Sequence, residues 1–103
     1  MIDTIDIPFT QYHLPNGRQT KEIFAAPKEL KPKVDEILSH GLEFTAEVLT
    51  NGYCSFCISN NQMGLDVDCE ICPNGPTVPE HIIALVKRFD SMYYEKLLIE
   101  KLC

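Results

Sequence analysis

Two dipeptide-spaced cysteine pairs offer the clearest chemistry in this sequence. Cys54-Ser55-Phe56-Cys57 and Cys69-Glu70-Ile71-Cys72 spell C-x2-C, eleven residues, C-x2-C, and paired soft thiolates at this spacing are how structural Zn²⁺ sites are commonly assembled. The flanking pattern speaks the other way. A zinc knuckle bends between its cysteines, whereas Cys54 and Cys69 fall in register with apolar strand positions, and odd spacing sends Cys57 and Cys72 to the opposite face. The alternatives are one structural Zn²⁺ on Cys54, Cys57, Cys69 and Cys72, or small thiols packed without a cofactor. Five cysteines, an odd number, and an amino terminus without a secretory signal favour reduced thiols or metal ligands over a disulfide framework. Cys103 stands apart at the end of the chain.

Carboxylates form the second feature. Strict alternation puts Asp66, Asp68 and Glu70 on one face of a strand, with Glu43 and Glu47 on the same sheet surface. Such an acidic patch attracts a basic protein partner or a divalent ion, or imitates phosphate charge, and otherwise serves as a solvated strand face. The histidines, His13, His40 and His81, have no readable catalytic partner. No EF-hand, P-loop, dinucleotide turn or nucleophile elbow occurs. The expected function is therefore non-enzymatic.

The elements that would position these groups read clearly in places. Tyr12 to Arg18 contains Leu14-Pro15-Asn16-Gly17, a hairpin signal between two apolar strands. Leu30, Val34, Ile37 and Leu38 recur at helical spacing, which predicts a helix over 27–40 with Pro32 in its first turn and Gly41 as its stop. Leu42, Phe44, Ala46 and Val48 then alternate with Glu43, Thr45 and Glu47, opening a meander whose turns fall at Asn51-Gly52 and Asn60–Gly64. Leu65 to Ile71 alternates throughout. Thr77 and Glu80 have capping-box spacing, and Pro79 suits a first helical turn.

A last helix running from Pro79 to Leu102 would reach roughly 36 Å at 1.5 Å per residue, beyond the roughly 26 Å of an eight-residue strand. Its outer part is apolar over more than one stripe, including Tyr94 and Leu98. This predicts a homodimer sealed by the overhanging ends; the alternative is a helix that breaks near Asp90-Ser91 and folds back. The fold class expected is a single α+β domain over 1–103, an antiparallel sheet of about five strands in the order β-β-α-β-β-β-α with two helices on one face.

Fifteen acidic against nine basic residues give a formal charge of −6, which disfavours general nucleic-acid binding. No apolar run approaches bilayer length, and a cytoplasmic location is the expectation. Gln11 to Arg18 and Glu70 to Pro79, each carrying Pro-Asn-Gly, resemble segments of small bacterial and phage-type proteins without known activity. The resemblance implies a stand-alone protein and transfers no functional residue. From Pro27 onward the element order is also similar to a double-stranded-RNA-binding domain. The chain departs from that family where its lysine cluster should stand, offering Val78-Pro79-Glu80-His81 instead.

The leading functional expectation is an accessory protein, dimeric, that binds a protein partner through Asp66, Asp68 and Glu70 or through Tyr94 and Leu98. The alternatives are a zinc-stabilised binding module and an acidic inhibitor that occupies a nucleic-acid site.

Overall fold

The computed structural model describes residues 3–13 and 18–102, without the side chain of His13. Strands β1 (Thr4–His13) and β2 (Arg18–Pro27) are followed by a 3₁₀ turn at Lys28–Leu30 and helix α1 (Lys31–Ser39). Strands β3 (Glu43–Val48), β4 (Tyr53–Asn60) and β5 (Leu65–Pro73) come next, then helices α2 (Val78–Arg88) and α3 (Ser91–Leu102). Pro32 stands in the first turn of α1, and Gly41 follows the helix at φ 74°, a left-handed conformation that glycine adopts without steric cost. The Asn16-Gly17 turn lies outside the described residues, but its two strands pair antiparallel along their whole length, from Thr4 opposite Pro27 to His13 opposite Arg18.

The five strands form one sheet in the order β2-β1-β3-β4-β5. The fold is α+β, but the sheet is mixed. β3 pairs with β1 in parallel, Phe9 opposite Phe44, while the other neighbours are antiparallel. The cause lies in the connection through α1, which steps past β1 instead of returning beside β2. A strand antiparallel to β2 and seated on the far side of β1 must run parallel to β1.

Phe9, Phe44, Phe56, Ile7 and Ile58 point to one side of the sheet. There they meet Val34 and Ile37 of α1, Ile82, Leu85 and Val86 of α2, and Tyr94 of α3 in a single buried cluster. The molecule is only 19 Å through its thinnest dimension, the depth of one sheet and one helical layer. No described element covers the other side of the sheet.

Three helices stand where two were expected. The long terminal helix breaks after Arg88: Phe89 is extended at φ −59°, ψ 134°, and Asp90 caps α3 by accepting the Met92 amide at 2.9 Å. Tyr94 turns inward, 2% exposed, and receives a 3.0 Å hydrogen bond from Asn60 at its hydroxyl. The continuous helix that motivated a dimer is thus broken in two, while Met92, Ile99 and Leu102 of α3 stay exposed. Thr77 occupies the cap position of α2, yet its side chain makes no capping hydrogen bond.

Candidate functional site

The uncovered sheet face is built from alternate residues of every strand. Tyr12, Glu47 and Ser55 form one row across β1, β3 and β4, and Thr10, Thr45, Cys57 and Cys69 form the next. It is lined by hydroxyls and carboxylates. Thr10, Thr45 and Ser59 are buried between their larger neighbours even though no helix lies above them. Each has a partner: Lys21 donates to the Thr10 hydroxyl at 2.7 Å, the Thr45 and Ser59 hydroxyls lie 3.3 Å apart, and Ser59 donates to Asp66 Oδ1 at 2.7 Å. Tyr12, Thr45, Glu47, Ser55, Ser59 and Asp66 surround a shallow depression of about 180 Å³.

One irregularity decides which groups meet there. Between Ile58 and Ser59 the β4/β5 register shifts, so that Ile58 faces Asp68 while Ser59 faces Asp66, leaving Val67 as the extra residue of a β-bulge. A bulge re-aims every side chain beyond it. The uninterrupted alternation from Leu65 to Ile71 predicts Val67, Cys69 and Ile71 on the core side; Val67 is indeed buried, but Cys69 and Ile71 turn to the open face, and Ile71 is 60% exposed. Asp68, Glu70 and Cys72 turn under the helices.

The bulge also sorts the four cysteines into two cross-strand pairs on opposite sides of the sheet. Cys54 opposes Cys72, both buried under the helical layer as free thiols, and burial followed by the nearby Cys54 pushes the Cys72 thiol up from its ordinary range. Cys57 opposes Cys69 on the open face, where the two form a disulfide with their Cα atoms 4.2 Å apart. The structure therefore does not bring Cys54, Cys57, Cys69 and Cys72 together around one point, and it replaces the expected set of free thiols with one bonded pair and one free pair. Asp66 joins the open-face pair: ligand atoms of Cys57, Asp66 and Cys69 all lie within 4.8 Å of one another. Cys103 lies outside the described residues.

The acidic set divides in the same way. Asp68 and Glu70 are held by Arg88 of α2, whose Nε donates to Asp68 Oδ2 at 2.7 Å and whose Nη1 donates to Glu70 Oε2 at 2.6 Å. The other Glu70 oxygen meets His81 Nδ1 at 2.9 Å. The His81 hydrogen bond, and then those from Arg88, hold the Glu70 carboxyl below its ordinary range, and the two carboxylates hold the Arg88 guanidinium more firmly protonated. Asp68 and Glu70 thus link β5 to α2. Of the three acids expected to share a face, only Asp66 reaches the open side, where it joins Glu43, Glu47 and Asp6. Asn61 bridges Glu43 and Tyr12 on this face.

The remaining sequence-predicted positions lie on or beside α3. Leu98 packs partly against the core beside Tyr94, whereas Met92, Ile99 and Leu102 are the apolar residues that α3 leaves most exposed. His40 closes α1, its Nε2 lying 3.2 Å from the Ser91 hydroxyl and its ring edge-on to Tyr94. A larger cleft of about 450 Å³ lies between the sheet and the start of α2, walled mainly by Phe24, Phe56, Val48 and Val78. Glu22, Glu47 and Cys54 add titratable groups to its lining.

No family model matches the chain, and neither the curated proteins nor the solved structures yield a match. Function must be argued from this geometry. Among the described residues, no helix is long and apolar enough to cross a membrane.

Proposed function

We propose that this chain is a non-enzymatic interaction domain that binds a cationic segment of a partner protein on its open sheet face. The observation that carries the reading is the distribution of charge. The helical segments, 28–39 and 78–102, hold seven acidic and seven basic residues, while the rest of the chain holds eight acidic residues against Arg18 and Lys21. The excess of −6 is thus carried by residues outside the helical segments.

Three of those acids face the helical side: Asp68 and Glu70, which pair with Arg88 and His81, and Glu22, opposite the inward-facing Phe9. Asp6, Glu43, Glu47 and Asp66 remain on the open face with Lys21 as its only cation among the described residues, and the Lys21 ammonium is directed onto Thr10. Carboxylates interleaved with Tyr12 and Ser55 suit lysine and arginine side chains, which need acceptors and a counter-charge together. The chain's two sheet edges, β2 and β5, leave that face open from either side.

The test is a titration of isotopically labelled protein with a lysine- and arginine-rich peptide, read by NMR. The reading expects shift changes on β3 and β4 at the open face, an affinity that falls as salt rises, and clear weakening in Glu43→Gln with Glu47→Gln. Changes scattered over the helical layer, or an unaltered affinity in the double variant, would refute it.

A further inference from the structure

We propose that Cys57, Cys69 and Asp66, once the disulfide is reduced, hold one Zn²⁺ ion on the open sheet face, and that re-forming the disulfide releases it. The site does not depend on the partner-binding reading. It rests on a register irregularity that has a specific geometric result. Asp66 and Cys69 are three residues apart, an odd separation that would place them on opposite faces of a regular strand; Ser59 and Cys57, their partners on β4, are two apart. The bulge at Val67 absorbs the difference and puts the carboxylate on the same face as both sulfurs.

The three groups form a donor set suited to zinc, two soft sulfurs and one carboxylate oxygen. Facing cysteines whose Cα atoms are 4.2 Å apart can both reach an ion bound at about 2.3 Å from each sulfur. Asp66 is also fixed by an outer partner. Ser59, only 2% exposed, directs its hydroxyl onto Asp66 Oδ1 at 2.7 Å and is itself met by Thr45, while the Ser55 hydroxyl lies 3.5 Å from Cys57 Sγ. Outer hydrogen bonds of this kind orient ligands and raise metal affinity. With the face uncovered, water completes the tetrahedron.

The exchange balances with a low-molecular-weight disulfide as oxidant. The Cys57 thiolate attacks one sulfur of that disulfide and expels the first small thiolate. The Cys69 thiolate then attacks Cys57 in the mixed disulfide and expels the second. Two electrons pass from the protein to the small disulfide, one S–S bond forms as one breaks, and Zn²⁺ departs unchanged in oxidation state because its ligands are gone. Metal and disulfide are thus mutually exclusive states of one strand pair.

Native mass spectrometry of the reduced full chain with one equivalent of zinc chloride, repeated after treatment with oxidised glutathione, tests the proposal. The expected result is one zinc per reduced chain and none in the oxidised chain, which is lighter by two hydrogens. Cys57→Ser and Cys69→Ser should abolish binding, and Asp66→Asn should weaken it by about tenfold or more in competition with a chromophoric chelator. Cys54→Ser should retain it. Far-UV circular dichroism establishes that each variant is folded, and Asp66→Asn carries the test if a serine variant is not. A reduced chain that takes up no zinc, a zinc ion retained beside the disulfide, binding indifferent to Asp66, or binding lost in Cys54→Ser would each overturn the proposal.

Discussion

The β4/β5 hairpin carries two cysteine pairs that are nearly identical in sequence and opposite in circumstance. Cys54 and Cys72 face each other beneath the helices, where burial disfavours the thiolate. Cys57 and Cys69, on the same two strands, face each other on the uncovered side and are bonded. Residue type therefore says little about what a thiol does. The side of the sheet decides: under the helices a cysteine behaves as a small apolar residue, and in the open it has access to oxidants, metals and partners.

The largest expected effect comes from cutting the open-face bond. The disulfide closes a loop of sequence separation 12, and constraining the unfolded chain over such a loop contributes about 3 kcal/mol in the chain-entropy model. For a domain of this size, reduction should lower the melting temperature by about 10 °C or more. Thermal unfolding with and without reductant measures it, and a coincident pair of melting curves would dissolve the contrast between the two pairs.

The buried pair responds in another way. Cys72→Ser places a hydroxyl at a site only 1% exposed, and burying it without a partner should cost about 2 kcal/mol. In reduced protein, Cys69→Ser at the half-buried outer position should cost only about 0.5 kcal/mol. Denaturant melts of the two variants under the same reducing conditions compare them directly; equal losses would erase the distinction.

The smallest effect concerns the clasp that the bulge creates between β5 and α2. Arg88→Ala should destabilise by about 1 kcal/mol, since the guanidinium binds two carboxylates at once yet is 41% exposed, where solvent screens the pairs. The pH dependence has a fixed sign. Glu70 is held below its ordinary value of 4.5, so its stabilisation is complete above that pH and disappears as acid drives the pH down through the lowered folded value. Urea melts at successively lower pH should show a shallower acid loss in Arg88→Ala than in the parent chain; parallel curves would remove Arg88 from the account.

Much of this hairpin's chemistry was hidden in a pattern that looked regular. From Leu42 to Val48 the alternation of apolar and polar residues predicts the faces of β3 correctly, because nothing interrupts that strand, and Gly41 marks the end of α1 by its backbone freedom. From Leu65 to Ile71 the same alternation misleads. A bulge needs no glycine or proline, and Val67 carries none of the usual marks, so Asp68, Glu70 and Cys72 moved under the helices unannounced. The parallel pairing of β1 with β3 depends on where a connection crosses, which local periodicity does not encode. The helix break did leave a trace, since Asp90-Ser91 is a capping sequence inside an apolar run, and its inward side chain Tyr94 could have been read from the new start.

The segregation of charge has a mechanical consequence. The open face carries Asp6, Glu43, Glu47 and Asp66 against Lys21 among the described residues, whereas the acids of the helical segments are interleaved with as many bases, so negative potential is concentrated on one side of a molecule 19 Å thick. A positively charged surface at a distance would exert a torque that rotates the protein before any contact forms, bringing the helix-free side around first. Encounters with cationic bodies then begin already oriented, and the collision geometry is chosen by the far field before side chains touch.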